Sequence, residues 1–385
     1  MLPYDIKAVA DLPTELDRWK TRLDYRGPIP RAWAGRLRRD LEAEAIAAST
    51  SMEGVPVTLA EVHRILAGER PPETREEDAA LVRGYRDAMS FVLRRADDAA
   101  FRWDRELVVG LHDRILAGDG AAGAGRFRTG PAYVVDHRAG QLVFQPPPAG
   151  EVPALVDAAC SVIEQGREHP AIAAAWIHVA VAAIHPFQDG NGRASRVLAS
   201  LAMYRGGFKL PEFTSLEEWW GRHLSDYYAA FRCLGEAFDH DTDVTPFVRA
   251  HMEAQLHQVR ALDLRERVQH RIWTAVEEAV TAAGLDPRVA NAVWDAFFGR
   301  RVTPRYYRPL ADVSPATATN DLAAAVAAGL LRPQGRARSR AYLAGEGLYP
   351  RIGAALGVPV EDAGDAARAI IVAELGKRVG AERTT

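Results

Sequence analysis

Cysteine is scarce in this 385-residue chain: Cys160 and Cys233 are the whole supply. A disulfide framework and a cysteine-based zinc site are therefore both excluded. Charge imbalance is missing too. The 48 Lys and Arg nearly offset the 51 Asp and Glu, for a net charge of −3. Such balance argues against a chain whose main task is coating nucleic acid or an anionic membrane. Long apolar runs are absent. The longest small-and-apolar stretch, Ala171 to Ile184, contains His178 and is too short to span a bilayer. The first twenty residues, MLPYDIKAVADLPTELDRWK, hold no apolar stretch of the signal-peptide kind. No internal repeat recurs at any period. The expectation is a cytoplasmic protein with no membrane partner. What is present, 48% hydrophobic and 26% charged residues, suffices for real cores, and the length suggests two or three domains.

Helical spacing dominates the first two thirds. Leu16, Trp19 and Leu23, then Leu37, Leu41 and Ile46, recur among charges over 14–48, interrupted by Pro28 and Pro30. Further helices are predicted from Thr58 to near Gly68, over 78–95 and over 103–116. More follow over 152–167, 171–184, after Gly192, 216–238 and 244–278. Between them, Tyr133-Val-Val and Gln141-Leu-Val-Phe144 flank a Gly-containing turn at 136–140, which reads as a hairpin closed by Pro146–Pro148. The last third differs in pattern. Helices near 268–283 and 287–298 precede a capped helix at Ser314–Ala328, with Pro315 just inside its start. Pro333 to Tyr342 follows as a small β wing. Four segments are expected: 1–100, 101–250, 260–345 and a helical tail, 346–385.

The run His185-Pro-Phe187-Gln-Asp189-Gly190-Asn191-Gly192-Arg193-Ala-Ser-Arg196 carries the chemistry. A tight turn opening a helix presents several backbone N–H groups to one point, an anion nest favoured by the helix dipole. Arg193 and Arg196 add guanidiniums on one face of the first turn, which suits a di- or triphosphate. Asp189 is a hard oxygen ligand where Mg²⁺ bridging phosphates would sit. His185 could take a proton from an attacking hydroxyl. Singly, each has a plainer reading, as a core histidine, a turn or a solvated helix face; the combination is what is specific.

That run resembles the signature of the Fic (Fido) family, His-x-Phe-x-Asp/Glu-Gly-Asn-Gly-Arg-x-x-Arg, at every specified position. The likeness extends to Gly125-Arg-Phe-Arg128-Thr-Gly130, the hairpin, Ala174-Ala-Trp-Ile-His178, Leu224-Ser-Asp-Tyr-Tyr228 and Asp243-Val-Thr-Pro246-Phe247, over about residues 35–250. It implies a mainly α fold: a helical core with one β-hairpin flap, here followed by a winged helix-turn-helix domain. It further implies a protein adenylyltransferase moving AMP from ATP to a Ser, Thr or Tyr hydroxyl, with release of pyrophosphate. His185 would be the general base and Asp189 the Mg²⁺ ligand. Gly190, Asn191 and Gly192 would cradle the phosphates, with Arg193 on their β/γ side, and Tyr227 or Tyr228 at adenine or ribose. Phe187 would pack the loop. The hairpin, including Val134 and Val135, would hold the target by strand addition; an ordinary surface hairpin is the rival reading.

Ser49-Thr-Ser-Met-Glu53-Gly54 can be read physically as a capping box, Thr50-x-x-Glu53. It also matches the family's inhibitory motif. Under that resemblance, which is to the class II arrangement, Glu53 pairs with Arg196 and keeps ATP from sitting productively. Implied partners are ATP, a hydroxyl-bearing target, the chain itself by auto-modification, and a second copy in a homodimer. Removal of AMP by the same chain and a donor other than ATP are alternatives within the family.

The 300–345 segment resembles a winged helix. It holds eight arginines (300, 301, 305, 308, 332, 336, 338, 340) against Asp312 and Asp321, a local excess of six positive charges that would suit phosphate contacts. Its presumed recognition helix, Ala316-Thr-Ala-Thr-Asn-Asp-Leu-Ala-Ala-Ala, has little to read bases with. A protein-docking wing is at least as good a reading as a DNA binder. The alternative from another function class is a DNA-binding regulator with a sensory or degenerate Fic core.

Overall fold

The computed structural model describes residues 1–24, 31–117, 119–136, 141–166, 168–214, 216–335, 340–361 and 364–381. It divides into two compact units, Met1–Val259 and Arg260–Thr385.

In the first unit, a short 3-10 turn leads to α1 (Asp11–Asp24), α2 (Arg31–Met52), α3 (Leu59–Leu66), α4 (Glu76–Arg95) and α5 (Arg105–Ile115). Side chains set several of these starts. Thr58 caps α3 in a reciprocal box with Glu61, and Asp104 caps α5 by accepting the Leu107 N–H. The hairpin follows as β1 (Val134–Asp136) and β2 (Gln141–Phe144), with its turn at 137–140 outside the described residues. Next come α6 (Val152–Gln165), α7 (Pro170–Ile184) and α8 (Asn191–Arg205). α7 and α8 are buried almost all round. That is what a helix with little polar face requires, and it makes this pair the spine of the unit. Leu2, Val9, Leu12, Leu16 and Trp19 share one core with Trp176, Phe187 and Leu198, so the segments expected at 1–100 and 101–250 pack around a common interior.

The single helix expected at 216–238 is three pieces. α9 (Pro211–Thr214) leads to α10 (Leu216–Arg222), α11 (Leu224–Ala230) and a 3-10 turn at Phe231–Leu234. His223 breaks the first junction with φ −121° and ψ 49°, its ring hydrogen-bonded to the Trp219 carbonyl. Gly235, at φ 72°, ends the series. The helices expected at 244–278 and 268–283 are instead one, α12 (Thr245–Ala282), and the division between units falls within it.

The second unit contains α13 (Ala290–Phe297), α14 (Pro304–Ala311), α15 (Pro315–Ala327), β3 (Leu331–Gln334), β4 (Ala341–Ala344), α16 (Leu348–Ala355) and α17 (Asp365–Ala381). Thr303 and Ser314 cap α14 and α15, each with proline at the first helical position. β3 and β4 pair antiparallel, and Val302 bridges Tyr342 from the other side. Of the wing expected from Pro333 to Tyr342, the two ends lie in β3 and β4, and 336–339 fall outside the described residues. Asp321 is committed to Arg288 (2.7 and 3.0 Å) and to the Tyr307 hydroxyl (3.0 Å), so it does not neutralise the surrounding arginines. Arg301, Arg305, Arg308, Arg332 and Arg340 are exposed.

Candidate active site

The connection from α7 to α8 begins on a strained residue. His185 caps α7 at φ 50°, ψ 59°, a left-handed conformation costing a non-glycine residue about 1–2 kcal/mol. Arg128, itself buried, holds it there. Its Nε donates to the His185 carbonyl at 2.7 Å, and its Nη2 donates to the carbonyls of Pro147 (2.6 Å) and Ile184 (3.3 Å). One guanidinium thus satisfies helix-end carbonyls that would otherwise be orphaned. The His185 ring hydrogen-bonds the Ala182 backbone. Burial lowers its pKa below the ordinary 6.5, aided by the Arg128 charge and opposed by that bond and by Glu53 and Asp189. A neutral imidazole can accept a proton at neutral pH.

Phe187 anchors the loop. It is fully buried, stacked on the His112 ring (3.6 Å between centroids, 4° between planes) and 5.5 Å from Phe127. The Phe187 N–H donates to Asn191 Oδ1 and Asn191 Nδ2 donates to the Phe187 carbonyl, both at 2.9 Å. The Asn191 side chain thus staples the loop, which leaves its backbone N–H, at the start of α8, as its contribution to the anion nest expected from the sequence. His112 fixes the next step: the Gly125 N–H donates to its Nδ1 (3.1 Å), so Nε2 carries the proton and donates to the Asp189 carbonyl (2.8 Å). Gly190 caps α8 at φ 76°, and a Cβ there would lie 3.3 Å from His112 Nε2. Glycine is required on both counts.

Arg193 and Arg196 lie on the first turn of α8, and both are buried. Arg193 reaches Asp189 Oδ2 with Nη2 at 3.4 Å, while its Nε and Nη1 are buried without a hydrogen-bond partner. The Asp189 carboxylate is 61% exposed. Arg196 is the opposite case. Its Nε donates to Ser49 Oγ (2.9 Å), Nη1 to the Tyr227 hydroxyl (3.3 Å), and Nη2 to the Ser49 carbonyl (3.1 Å) and Glu53 Oε1 (2.8 Å). Glu53 Oε1 also stands 2.3 Å from where a Cβ on Gly192 would be. The carboxylate therefore lies over the opening of α8.

The α2 end explains this placement. Ser49 and Thr50 are wholly buried, and Thr50 Oγ1 donates to the carbonyls of Ile46 (2.7 Å) and Ala47 (3.1 Å). Thr50 thus sits inside the last turns of a helix, which overturns the capping-box reading of Thr50-x-x-Glu53. Tyr227 is corrected as well. It is 4% exposed, with its hydroxyl between Arg196 and His178 Nε2 (3.1 Å), so it backs Arg196 and has no free face for adenine or ribose. Tyr228 is 55% exposed, its hydroxyl 3.4 Å from the Met52 carbonyl. In the hairpin, Val134 packs on the core and Val135 is exposed beside Tyr133, Leu142 and Val143. Gln145, just past β2, pairs with Ala237, so β1 is the outer strand of this pair among the described residues.

Among the described residues no group of three His, Cys, Asp or Glu could hold a metal ion unaided. One exposed carboxylate beside an anion nest still fits Mg²⁺, which takes one or two carboxylates and completes its shell with phosphate oxygens and water. No described helix is long and apolar enough to cross a membrane.

Residues 102–203, from just before α5 to near the end of α8, match the Fic/DOC family. This span is similar to a Fic domain. Glu53 and Tyr227 lie outside it. The chain is 26% identical over 271 residues to the protein adenylyltransferase Fic of Drosophila virilis, covering 67% of this chain and 51% of that protein. It is 30% identical over 145 residues to that of Aedes aegypti, covering 37% and 26%. It spans about half the length, or less, of these curated relatives. Its fold is similar to a Fic family protein from Desulfovibrio desulfuricans G20 (24% identity, TM-score 0.59, covering 89% of this chain and 98% of that one). It is also similar to Fic-1 from C. elegans (23% identity, TM-score 0.52, covering 66% and 70%).

Proposed function

We propose that this chain is a protein adenylyltransferase held in check by Glu53. The observation that carries the reading is Arg193: a buried guanidinium with two unpartnered N–H groups, beside an exposed Asp189, at the opening of α8. A buried cation with orphaned donors is costly, and a nucleotide's phosphates would satisfy it. The relatives named protein adenylyltransferase Fic supply the reaction class.

In this scheme ATP places its phosphates over the N–H groups of Gly190, Asn191 and Gly192, with Arg193 and Arg196 on their oxygens. Bound Mg²⁺, held by Asp189, would neutralise charge on the leaving pyrophosphate. His185 Nε2 or Nδ1, whichever is free of the Ala182 bond, takes the proton from a Ser, Thr or Tyr hydroxyl of a target protein. The hydroxyl oxygen bonds to the α-phosphorus, and the bond from that phosphorus to the bridging oxygen of pyrophosphate breaks. Positioning and electrostatics carry such a transfer. The outer edge of β1 at Val134 and Val135 receives the target as an added strand.

Glu53 explains why the resting chain would be inactive. It occupies Arg196 and sets a negative charge where the triphosphate must lie, the class II arrangement. Intact-protein mass spectrometry after incubation with ATP and Mg²⁺ tests the scheme. Glu53→Gly is expected to gain the mass of AMP and Glu53→Gly/His185→Ala to gain none. An adduct that survives loss of His185 removes its role as base.

For the second unit we propose a winged helix, supported by capped α14 and α15 followed by the β3–β4 pair. Its exposed arginines favour contact with phosphates. The exposed face of α15, with Ala316, Thr319, Asn320 and Ala323, offers little for reading bases. Gel shifts with generic duplex at low salt decide this point: no shift discards DNA binding.

A further inference from the structure

Behind Arg196 lies a second polar cluster. Glu217 of α10 is 2% exposed; its Oε1 accepts the Tyr85 hydroxyl at 2.9 Å, while Oε2 is buried without a partner. Tyr85, on α4, is fully buried and hydrogen-bonds Ser49, whose Oγ accepts Arg196 Nε at 2.9 Å. The donors run one way, from guanidinium to Ser49, to Tyr85, to the Glu217 carboxyl. Glu217 and Arg196 also line one cavity of about 20 Å³ with His178, Trp220 and His251. His178 Nδ1, Trp220 Nε1 and His251 Nε2 have no partner either, and the space admits about one water.

The charge balance of Arg196 gives this cluster a purpose. Among the described residues Glu53 is its ionic partner, at 2.8 Å, and the arginine side chain is 2% exposed. A buried cation stripped of its partner is strongly destabilising, yet the function proposed above requires Glu53 to leave. We propose that Glu217 is the replacement counter-ion, a positioning residue that ionises as Glu53 withdraws and holds Arg196 in place through Ser49 and Tyr85 until phosphate arrives. The inference rests on that function only in requiring Glu53 to move. The proton passes from Glu217 to solvent as Glu53 leaves, and returns once phosphate oxygens occupy the guanidinium.

The groups facing Glu217 are Tyr85 on α4, Arg196 on α8, His178 on α7 and His251 on α12. Burial lowers the pKa of both imidazoles, His251 to about 3, so Arg196 is the cation that acts on Glu217. Burial raises the Glu217 pKa, opposed by its own backbone N–H, by Tyr85 and by Arg196. Removing the negative charge of Glu53 leaves the Arg196 field unopposed and must lower it.

Infrared pH titration of the full chain tests this. The protonated-carboxyl band of Glu217 is identified as the one lost in Glu217→Gln, or shifted in Glu217→Asp should the first variant fail to fold. Its midpoint is expected to fall by at least about one pH unit, a tenfold change in proton affinity, on going from the natural chain to Glu53→Gly. Equal midpoints overturn the proposal. Adding Tyr85→Phe, which cuts the relay but keeps the carboxyl, should move the midpoint back up; an unmoved midpoint overturns the relay. Calorimetry of ATP binding to Glu53→Gly, in buffers of different ionisation enthalpy, should show proton uptake that Glu217→Gln removes. Binding without such uptake counts against Glu217. Failure to bind ATP at all counts against the functional reading and leaves the infrared result to decide the counter-ion.

Discussion

Arg193 and Arg196 sit one turn apart on the same helix, equally buried, and differ in what they touch. Arg196 has every nitrogen engaged, by Ser49, Tyr227 and Glu53. Arg193 has one long contact to Asp189 and two orphaned nitrogens. Sequence spacing treats them as a matched pair. Their surroundings make one a fully paired structural element and leave the other a buried cation with unpartnered donors.

Substituting each arginine by methionine, which retains the apolar stem, should separate the two roles. Arg196→Met breaks a buried pair and is expected to cost about 3–5 kcal/mol in urea unfolding. Arg193→Met should leave stability nearly unchanged, because it removes an uncompensated charge. In the Glu53→Gly background it should instead weaken ATP binding on the order of 10–150-fold, the worth of about 1.5–3 kcal/mol for a hydrogen bond to a charged group. Equal stability losses from the two substitutions would erase the distinction. A smaller effect is expected at the turn that presents both arginines. Gly190→Ala forces an L-residue to φ 76° against His112 and should cost about 1–2 kcal/mol. The smallest effect is in pH. Because burial lowers the His185 pKa, the imidazole stays a base below its ordinary 6.5. AMP transfer by Glu53→Gly should therefore stay level from pH 8 to 6.5 and decline only on further acidification. A decline centred at or above 6.5 would place His185 in a more solvated setting.

The open half of the site was legible because it is local. His185 through Arg196 is one continuous run, and its glycines, carboxylate and arginines stand in the loop and first helical turn that chain order implies. The hairpin and the Thr58 cap are local as well. The other half assembles from distant segments: Arg128 reaches back to the His185 carbonyl, and Tyr85 and Glu217 meet 132 residues apart. His112 gave one faint signal, a histidine among the buried positions Leu107, Val108, Leu111 and Ile115 of an amphipathic helix. Such a residue looks like core until Phe187 stacks on it. Tyr227 was located but given the wrong task, because spacing does not say which way a side chain turns.

Calorimetric titration of ATP with Mg²⁺ into the natural chain and into Glu53→Gly tests the central claim, that Glu53 holds the seat of the phosphates. Tighter binding by Glu53→Gly, on the order of 5–150-fold for a coupling of about 1–3 kcal/mol, is the predicted result. Equal affinities would contradict it.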